Sequence, residues 1–170
     1  MVGRGFEQRE DSYSDTYASV ARMTSALAFI SYMLKHGYSI NQWDVTTAFL
    51  YGELKDKLYM EQPEGFHSKE KPPQQYVCQL KKGLYGLKQG ARCWQDTLKA
   101  RLRTLGFKEL KADSNIYRKV IIDSRTGYQR NVYLLCYTDD ILCCADSDAD
   151  KALVFKQLNE TFKVKDNGRL

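Results

Sequence analysis

The chain has 170 residues, 43% of them hydrophobic, which suits one globular domain with a buried core. Its longest N-terminal apolar stretch, Met23 to Leu34, is too short to span a bilayer, so we expect no membrane partner. The 26 basic and 21 acidic residues give a net charge of +5, which permits a polyanionic partner without requiring one. The five cysteines lack metal-site spacing, and their odd number without a secretory signal predicts reduced, buried thiols in an intracellular protein.

The first predicted helix follows Met23-Thr24-Ser25 and ends at Gly37, since glycine commonly terminates helices. Thr24 or Ser25 is expected to cap its start. Apolar residues recur at spacings of three and four, so we expect one stripe of the helix to pack in the core. This stripe consists of Leu27, Ile30 and Leu34.

A strand is predicted over Tyr38–Asp44, where aromatic and β-branched residues are frequent. From Tyr51 to Leu80 the sequence is polar and irregular. Turns are indicated at Pro63 and at Pro72, and we expect short paired strands beside them.

A second helix is predicted from about Gln89 to Leu105, with Gly106 as its stop. Its apolar face consists of Trp94, Leu98, Leu102 and Leu105. Basic residues cluster before and along this helix, and they fit either a nucleic-acid-binding face or a solvated helix surface. These residues are Lys81, Lys82, Lys88, Arg92, Lys99, Arg101 and Arg103.

Two further strands are predicted at Ile116–Ile122 and Asn131–Thr138, joined by a turn around Thr126-Gly127. A third apolar run covers Ile141–Ala145, and Asp148 is expected to cap a third helix. The apolar residues assigned to that helix are Leu153, Val154, Leu158 and Phe162. Helices and strands mix without strict alternation, which favours an α+β sheet with helices on one face.

Two adjacent acids, Asp139 and Asp140, interrupt the apolar stretch YLLCYTDDILCCA. The flanking runs predict a hairpin with both acids at its turn, where Asp is common for backbone reasons alone. A third acid, Asp44, ends the earlier predicted strand. If that strand pairs beside the hairpin, three carboxylates converge, and their repulsion would favour a bound hard cation, Mg²⁺ or Mn²⁺. Residue types and spacing leave the turn and the metal site both open, and they name no reaction.

Three blocks occur in order along the chain: QWDVTTAFLYGELKDKLYMEQPEGF, VCQLKKGLYGLKQGARCW and YLLCYTDDILCCA. Together they resemble the reverse transcriptase of Ty1/copia-type retrotransposon Pol polyproteins, and the resemblance extends from GRGFEQ to FKVKDNGRL. It implies a right-hand polymerase fold: a palm, with a ferredoxin-like antiparallel sheet and helices on one face, plus partial fingers. Because both ends are abrupt, we expect residues 1–170 to be a fingers and palm fragment truncated at both ends, with thumb and RNase H absent.

The resemblance also assigns roles to the acids. Asp44, Asp139 and Asp140 match the catalytic, metal-binding carboxylates of the family, and Val45 would lend its backbone carbonyl to a metal. The family usually has Val where this chain has Thr138, a residue of nearly the same shape, so we expect the turn to survive.

Further residues match positions that contact the incoming nucleotide. Phe49 matches the aromatic steric gate against a ribose 2′ hydroxyl, and Tyr85 with Gly86 matches a segment lying along the nucleotide. The remaining matches are basic: Lys88 and Arg92 could face phosphates or template, and Arg4 could grip the triphosphate. Each also has an ordinary structural reading, as core packing, a strand-end aromatic or a solvated helix start.

The resemblance implies an RNA-directed DNA polymerase that transfers a nucleotide from a dNTP to a primer 3′ hydroxyl with Mg²⁺, or Mn²⁺, as cofactor. The implied partners are an RNA or DNA template with primer, dNTPs, and the rest of the Pol polyprotein: thumb, RNase H and integrase. The implied location is a cytoplasmic virus-like particle, the nucleus, or both. The alternative is an inactive transposon remnant that keeps the fold and binds nucleic acid non-specifically. A different palm-type nucleotidyltransferase fits the acids, but not the blocks LYGLKQ and YMEQPEGF.

Overall fold

The computed structural model describes residues 2–9, 13, 16–67 and 76–170. They form two compact units. The hairpin unit comprises the described residues of Met1–Ala18 and Phe49–Thr97, and the sheet unit comprises Ser19–Ala48 and Leu98–Leu170.

Eight strands and three α-helices lie in the described ranges. The strands are β1 (Ile40–Val45), β2 (Glu53–Glu61), β3 (Val77–Lys82), β4 (Lys108–Glu109), β5 (Ile116–Ile122), β6 (Gln129–Tyr137), β7 (Asp140–Ala145) and β8 (Val164–Arg169). The helices are α1 (Met23–Lys35), α2 (Gly90–Thr104) and α3 (Asp148–Asn159), with short 3₁₀ segments at Gly5–Glu7 and Ala48–Tyr51.

The sheet unit is built on a six-stranded sheet in the order β4-β5-β6-β7-β1-β8, and every neighbouring pair is antiparallel. The predicted mixed α and β content is confirmed, as is the antiparallel sheet. Strand β1, the central element for the site, lies between β7 and β8.

The two faces of this sheet carry different helices. Phe29 and Met33 of α1 pack in one buried cluster with Ile40 of β1 and Cys144 of β7. Trp43 lies three residues after Ile40, and its ring centroid is 5.3 Å from that of Phe155 in α3. Because successive strand residues point to opposite faces, α1 and α3 contact opposite faces of β1. The prediction of helices on one face was therefore wrong, since each face of this strand carries a buried apolar side chain, Ile40 on one and Trp43 on the other.

Helix α1 begins at Met23, earlier than predicted, and the stripe that it buries differs in part from the predicted one. Leu27 and Leu34 are each 59% exposed, whereas Phe29 and Met33 are buried and Ile30 is half-buried against their cluster. The helix is apolar on more than one face, so spacings of three and four fit either stripe. Periodicity predicted the helix correctly, whereas the predicted buried face was right for Ile30 and wrong for Leu27 and Leu34.

The predicted cap of α1 was also wrong, because neither Thr24 nor Ser25 precedes the helix. Arg22 holds the cap position, and its backbone N–H donates to the carboxylate of Asp113 at 3.1 Å. Burial alone would raise the pKa of Asp113, but hydrogen bonds from Asn115 and Arg22 hold it below its usual value. A partner so distant in sequence leaves no local signal.

Other predicted boundaries hold closely, with two corrections near the C-terminus. Strand β5 has the predicted bounds, and Gly106 follows α2 with a positive φ of 86°. The cap of α3 is Ser147 rather than Asp148, since the Ser147 hydroxyl accepts a hydrogen bond from the Asp150 N–H. Strand β8 was not predicted, because only Val164 of its residues is buried and the rest are exposed.

The hairpin unit contains the antiparallel pair β2–β3, as the turn signals predicted. Its first turn is closed by a hydrogen bond from the Phe66 N–H to the Pro63 carbonyl at 3.0 Å. The predicted turn at Pro72 lies outside the described residues. The N-terminal segment contacts the loop after β3 through the Gly3 N–H, which donates to the Tyr85 carbonyl at 2.7 Å.

All five cysteines lie in the described residues and are free, but the prediction that they are buried fails for Cys78 and Cys93, which are half-buried. Cys136, Cys143 and Cys144 are buried, and burial raises the pKa of Cys136 to about 12. These thiols therefore stay protonated and serve as small core residues.

Candidate active site

The sheet places two of the three predicted acids opposite each other, and the third is the neighbour of one of them along the chain. Strands β1 and β7 pair so that Asp44 lies directly opposite Asp140. Asp139 is the preceding residue, in the tight turn between β6 and β7, and its carbonyl accepts a hydrogen bond from the Val45 N–H at 2.9 Å. Directly opposed residues of antiparallel strands share a face, so the carboxylates of Asp44 and Asp140 are neighbours.

The turn that presents Asp139 has an unusual backbone. Tyr137 pairs with Asp140, which leaves Thr138 and Asp139 as the turn residues. Thr138 has a φ of +55°, at a position where glycine is usual in two-residue hairpins. Among the described residues, the other non-glycine residue with a positive φ is Thr47, whose φ is +57° and which lies three residues after Asp44. Both segments that carry the acids thus contain a β-branched residue in the left-handed region.

A neutral side chain, that of Gln42, donates a hydrogen bond to one of the two opposed acids, Asp140. Gln42 lies two residues before Asp44 and therefore on the same face of β1. Its side-chain amide donates to Oδ1 of Asp140 at 3.0 Å, in a partly buried position. Sequence reasoning missed Gln42, although the period of two along β1 could have identified it once Asp44 was placed on this face.

The predicted nucleotide-contacting aromatics lie in the hairpin unit and touch each other. The ring centroids of Phe49 and Tyr85 are 4.3 Å apart, with an angle of 49° between the planes. Phe49 follows Ala48 in the 3₁₀ segment that continues from the Asp44 strand. The backbone of Gly83 packs against the Phe49 carbonyl, because a Cβ added at Gly83 would lie 2.8 Å from the Phe49 carbonyl oxygen.

Gly86 is required by packing within the chain. Its φ is +90°, and a Cβ there would lie 2.1 Å from the Gly3 carbonyl oxygen. A side chain at Gly5 would in turn meet the Gly86 carbonyl at 1.9 Å. Sequence reasoning attributed Gly86 to close approach of a ligand, whereas the structure supplies close approach of the N-terminal segment.

The predicted basic residues of the hairpin unit already have partners. Arg4 pairs with Glu7 at 3.4 Å on the surface, and Lys88 donates to the Tyr13 hydroxyl at 2.9 Å. Arg92 pairs with Asp96 at 3.2 Å and donates to the Tyr17 carbonyl at 3.0 Å. A cavity of about 770 Å³ in this unit is lined by Arg4 but by none of the three acids.

The helical part of the basic cluster is largely neutralised. Besides Arg92, Arg101 pairs with Glu160 at 3.1 Å and Arg103 with Glu109 at 2.8 Å. Lys81 and Lys82, at the end of β3, are exposed. This pattern favours the solvated-surface reading for the helix and leaves the strand end as the more accessible basic segment.

The whole chain, residues 1–170, matches the family described as reverse transcriptase (RNA-dependent DNA polymerase). The chain belongs to this family. Its relatives include the Retrovirus-related Pol polyprotein from transposon RE1 of Arabidopsis thaliana, 36% identical over 100% of this chain and 11% of the relative. The corresponding polyprotein from transposon TNT 1-94 of Nicotiana tabacum is 34% identical over 99% of this chain and 12% of its own length.

A third relative is the Transposon Ty1-DR5 Gag-Pol polyprotein of Saccharomyces cerevisiae, 31% identical over 91% of this chain and 8% of the relative. These names confirm the resemblance to Ty1/copia-type Pol polyproteins. The chain spans about a tenth of the length of the curated relatives from both plants, 11% and 12%. No solved structure matches it significantly.

Reverse transcriptases generally use divalent metal ions, which makes the donor chemistry of the acids relevant. Over the part of the chain that the structure describes, no three His, Cys, Asp or Glu side chains are grouped to hold one metal. Mg²⁺, however, is usually bound by one or two carboxylates together with substrate phosphates. The opposed pair Asp44 and Asp140, with Asp139 adjacent, supplies hard oxygen donors of that kind. The residues present therefore fit the ion by chemistry.

None of the helices in residues 2–9, 13, 16–67 and 76–170 is long and apolar enough to cross a bilayer.

Proposed function

We propose that this reverse transcriptase-family chain provides the palm and part of the fingers of an RNA-directed DNA polymerase. The observation that carries the proposal is the pairing of Asp44 with Asp140 across β1 and β7, with Asp139 tied to Val45 by a hydrogen bond of 2.9 Å. Segments far apart in sequence meet where two neighbouring interior strands, β1 and β7, place like charges opposite each other. Such an arrangement is unfavourable for folding alone and useful for binding cations.

In this proposal the acids hold Mg²⁺, with Mn²⁺ as a substitute. Asp44 and Asp140 contribute carboxylate oxygens from the strands, and Asp139 contributes one from the turn. The Val45 N–H is occupied by the Asp139 carbonyl, which fixes the end of β1 against the turn. The Val45 carbonyl is proposed as a further metal ligand. When bound with substrate, the metal would neutralise phosphate charge and favour ionisation of the primer 3′ hydroxyl.

The hairpin unit supplies the proposed nucleotide contacts. The Phe49 ring acts as the steric gate, and its contact with Tyr85 restricts the freedom of both rings. Gly86 keeps the Tyr85 segment against Gly3, where a hydrogen bond of 2.7 Å joins the two. Lys88 and Arg4 would have to exchange their present partners, Tyr13 and Glu7, for phosphate oxygens.

The substrates and partners follow from the same proposal. They are a primed RNA or DNA template, dNTPs, and the remainder of a Pol polyprotein, with thumb, RNase H and integrase. A virus-like particle in the cytoplasm, or the nucleus, stays the predicted location.

The test is primer extension with Mg²⁺ by the Pol polyprotein of a relative whose matched segment is replaced by this chain. Asp139→Asn removes one anionic oxygen donor, and we expect extension to fall by at least about 10²–10³-fold, the range for loss of one electrostatic stabiliser. The matched control is Asp148→Asn, because the Asp148 side chain is 91% exposed on α3, and it should stay within about twofold of the parent.

Extension by Asp139→Asn at the parent rate would reject the catalytic assignment. A parent chimera that binds primer–template without extending it would instead favour the inactive remnant.

A further inference from the structure

We propose that Gln42 is a positioning residue for Asp140, holding that carboxylate in the orientation that receives the metal. This inference rests on the proposed polymerase function. The observation that supports the role of Gln42 is independent of the family assignment: the Gln42 side-chain amide donates to Oδ1 of Asp140 at 3.0 Å. The bond joins β1 to β7 on the face where Asp44 and Asp140 are opposed.

The geometry of the strand pair explains why a long side chain is needed. Gln42 lies directly opposite Leu142, so its amide reaches Asp140 diagonally, two pairs further along the strands. Diagonal partners on a sheet are about 7–8 Å apart, a distance that a glutamine spans and a shorter asparagine reaches poorly. Because Gln42 bonds to Oδ1 of Asp140, the other carboxylate oxygen, Oδ2, is the one that we propose binds the metal.

Charge explains why a neutral amide suits this position. Asp140 faces Asp44 at close range, and the repulsion would turn the carboxylates apart when no cation is present. A lysine or arginine would relieve the repulsion but would also compete with the metal. The amide donates to the carboxylate and leaves the negative charge of the site unchanged. Partners of this kind commonly alter metal affinity by about 10–100-fold when they are removed.

The experiment measures Mn²⁺ affinity of the 170-residue chain, with Mn²⁺ alone as the probe, by the electron paramagnetic resonance signal of the free ion. Gln42→Met keeps the length of the side chain and removes the donor, so we expect Mn²⁺ binding to weaken about 10-fold. Gln129→Met is the matched control, because Gln129 is exposed at the start of β6, and its affinity should equal that of the parent.

Two more variants separate the possible results. Gln42→Lys keeps a donor and adds a positive charge, so it should retain the unfolding midpoint yet bind Mn²⁺ more weakly than the parent. Asp140→Asn reports on the metal site itself and should reduce Mn²⁺ affinity at least as strongly as Gln42→Met.

If Asp140→Asn weakens binding while both Gln42 variants bind like the parent, the positioning role is overturned and the proposed function stands. If the parent does not bind Mn²⁺, or if Asp140→Asn binds equally well, the metal site itself is rejected together with the role of Gln42. Weaker binding by Gln42→Met and Gln42→Lys, with Gln129→Met unchanged, supports the inference.

Discussion

Thr138 and Thr47 occupy left-handed backbone conformations beside the proposed catalytic acids, with φ of +55° and +57°. Residues with a branched Cβ rarely adopt such angles, because the Cβ crowds the following backbone. Conformations of this kind persist where surrounding structure enforces them, and they are common at functional sites. Here the enforcing contacts are the β6–β7 hairpin and the hydrogen bond from Val45 to Asp139.

We predict that Thr138→Gly raises the free energy of unfolding of the chain by about 0.5–1 kcal/mol. Relief of the left-handed backbone gains about 1–2 kcal/mol, and the greater freedom of glycine in the unfolded chain removes about 0.5–1 kcal/mol. Urea unfolding followed by circular dichroism measures the difference. Thr161→Gly is the control, since Thr161 is exposed and its φ is not positive, and it should be slightly destabilising. Equal destabilisation by both substitutions would argue against strain at Thr138.

Single residues also show where sequence reasoning stops. Asp44, Asp139 and Asp140 were selected as candidate metal-binding acids because a charged residue within an apolar run is conspicuous in the local sequence. Gln42 was missed because its partner, Asp140, is distant in sequence and amides are unremarkable in a strand. Gly86 was selected correctly for close approach, but the group that approaches it is the Gly3 backbone.

At the scale of elements, helix α1 offers a direct comparison of two stripes. We predict that Phe29→Ala lowers the free energy of unfolding by about 3–5 kcal/mol, because a buried aromatic leaves a cavity against Ile40. Leu27→Ala should change it by no more than about 0.5 kcal/mol, because Leu27 is 59% exposed. Chemical denaturation of both variants decides between the observed and the predicted stripe. A larger loss for Leu27→Ala would restore the sequence-based assignment.

Elements with strong periodicity were predicted well, and those defined by distant contacts were not. Strand β5 and helix α2 have dense apolar patterns, and their bounds agree with the prediction within one or two residues. Strand β8 is exposed beyond Val164, three of its six residues are charged, and it pairs with the distant strand β1. The carboxylate at the start of α1 comes from Asp113, which no local capping rule identifies.

For the whole molecule, the predicted functional residues divide between the two units. The acids and Val45 belong to the sheet unit, whereas Phe49, Tyr85, Gly86, Lys88 and Arg4 belong to the hairpin unit. The sequence could predict most of the strands, though not β4 or β8. It could only conjecture that the Asp44 strand pairs beside the hairpin, because strand order depends on long-range contacts. Similarity over the full chain establishes the family, while the roles of individual residues stay proposals.

The measurement that tests the central claim most directly is a Mn²⁺ titration of the isotopically labelled chain, followed by broadening of its amide resonances. A paramagnetic ion broadens the resonances of nearby nuclei first, so the residues whose amide resonances broaden first identify the position of the ion. We predict that amides of residues 42–45 and 138–141 broaden at the lowest Mn²⁺ concentration. Broadening that begins instead around Asp146 and Asp148, or no localised broadening at all, would contradict a metal site formed by Asp44, Asp139 and Asp140.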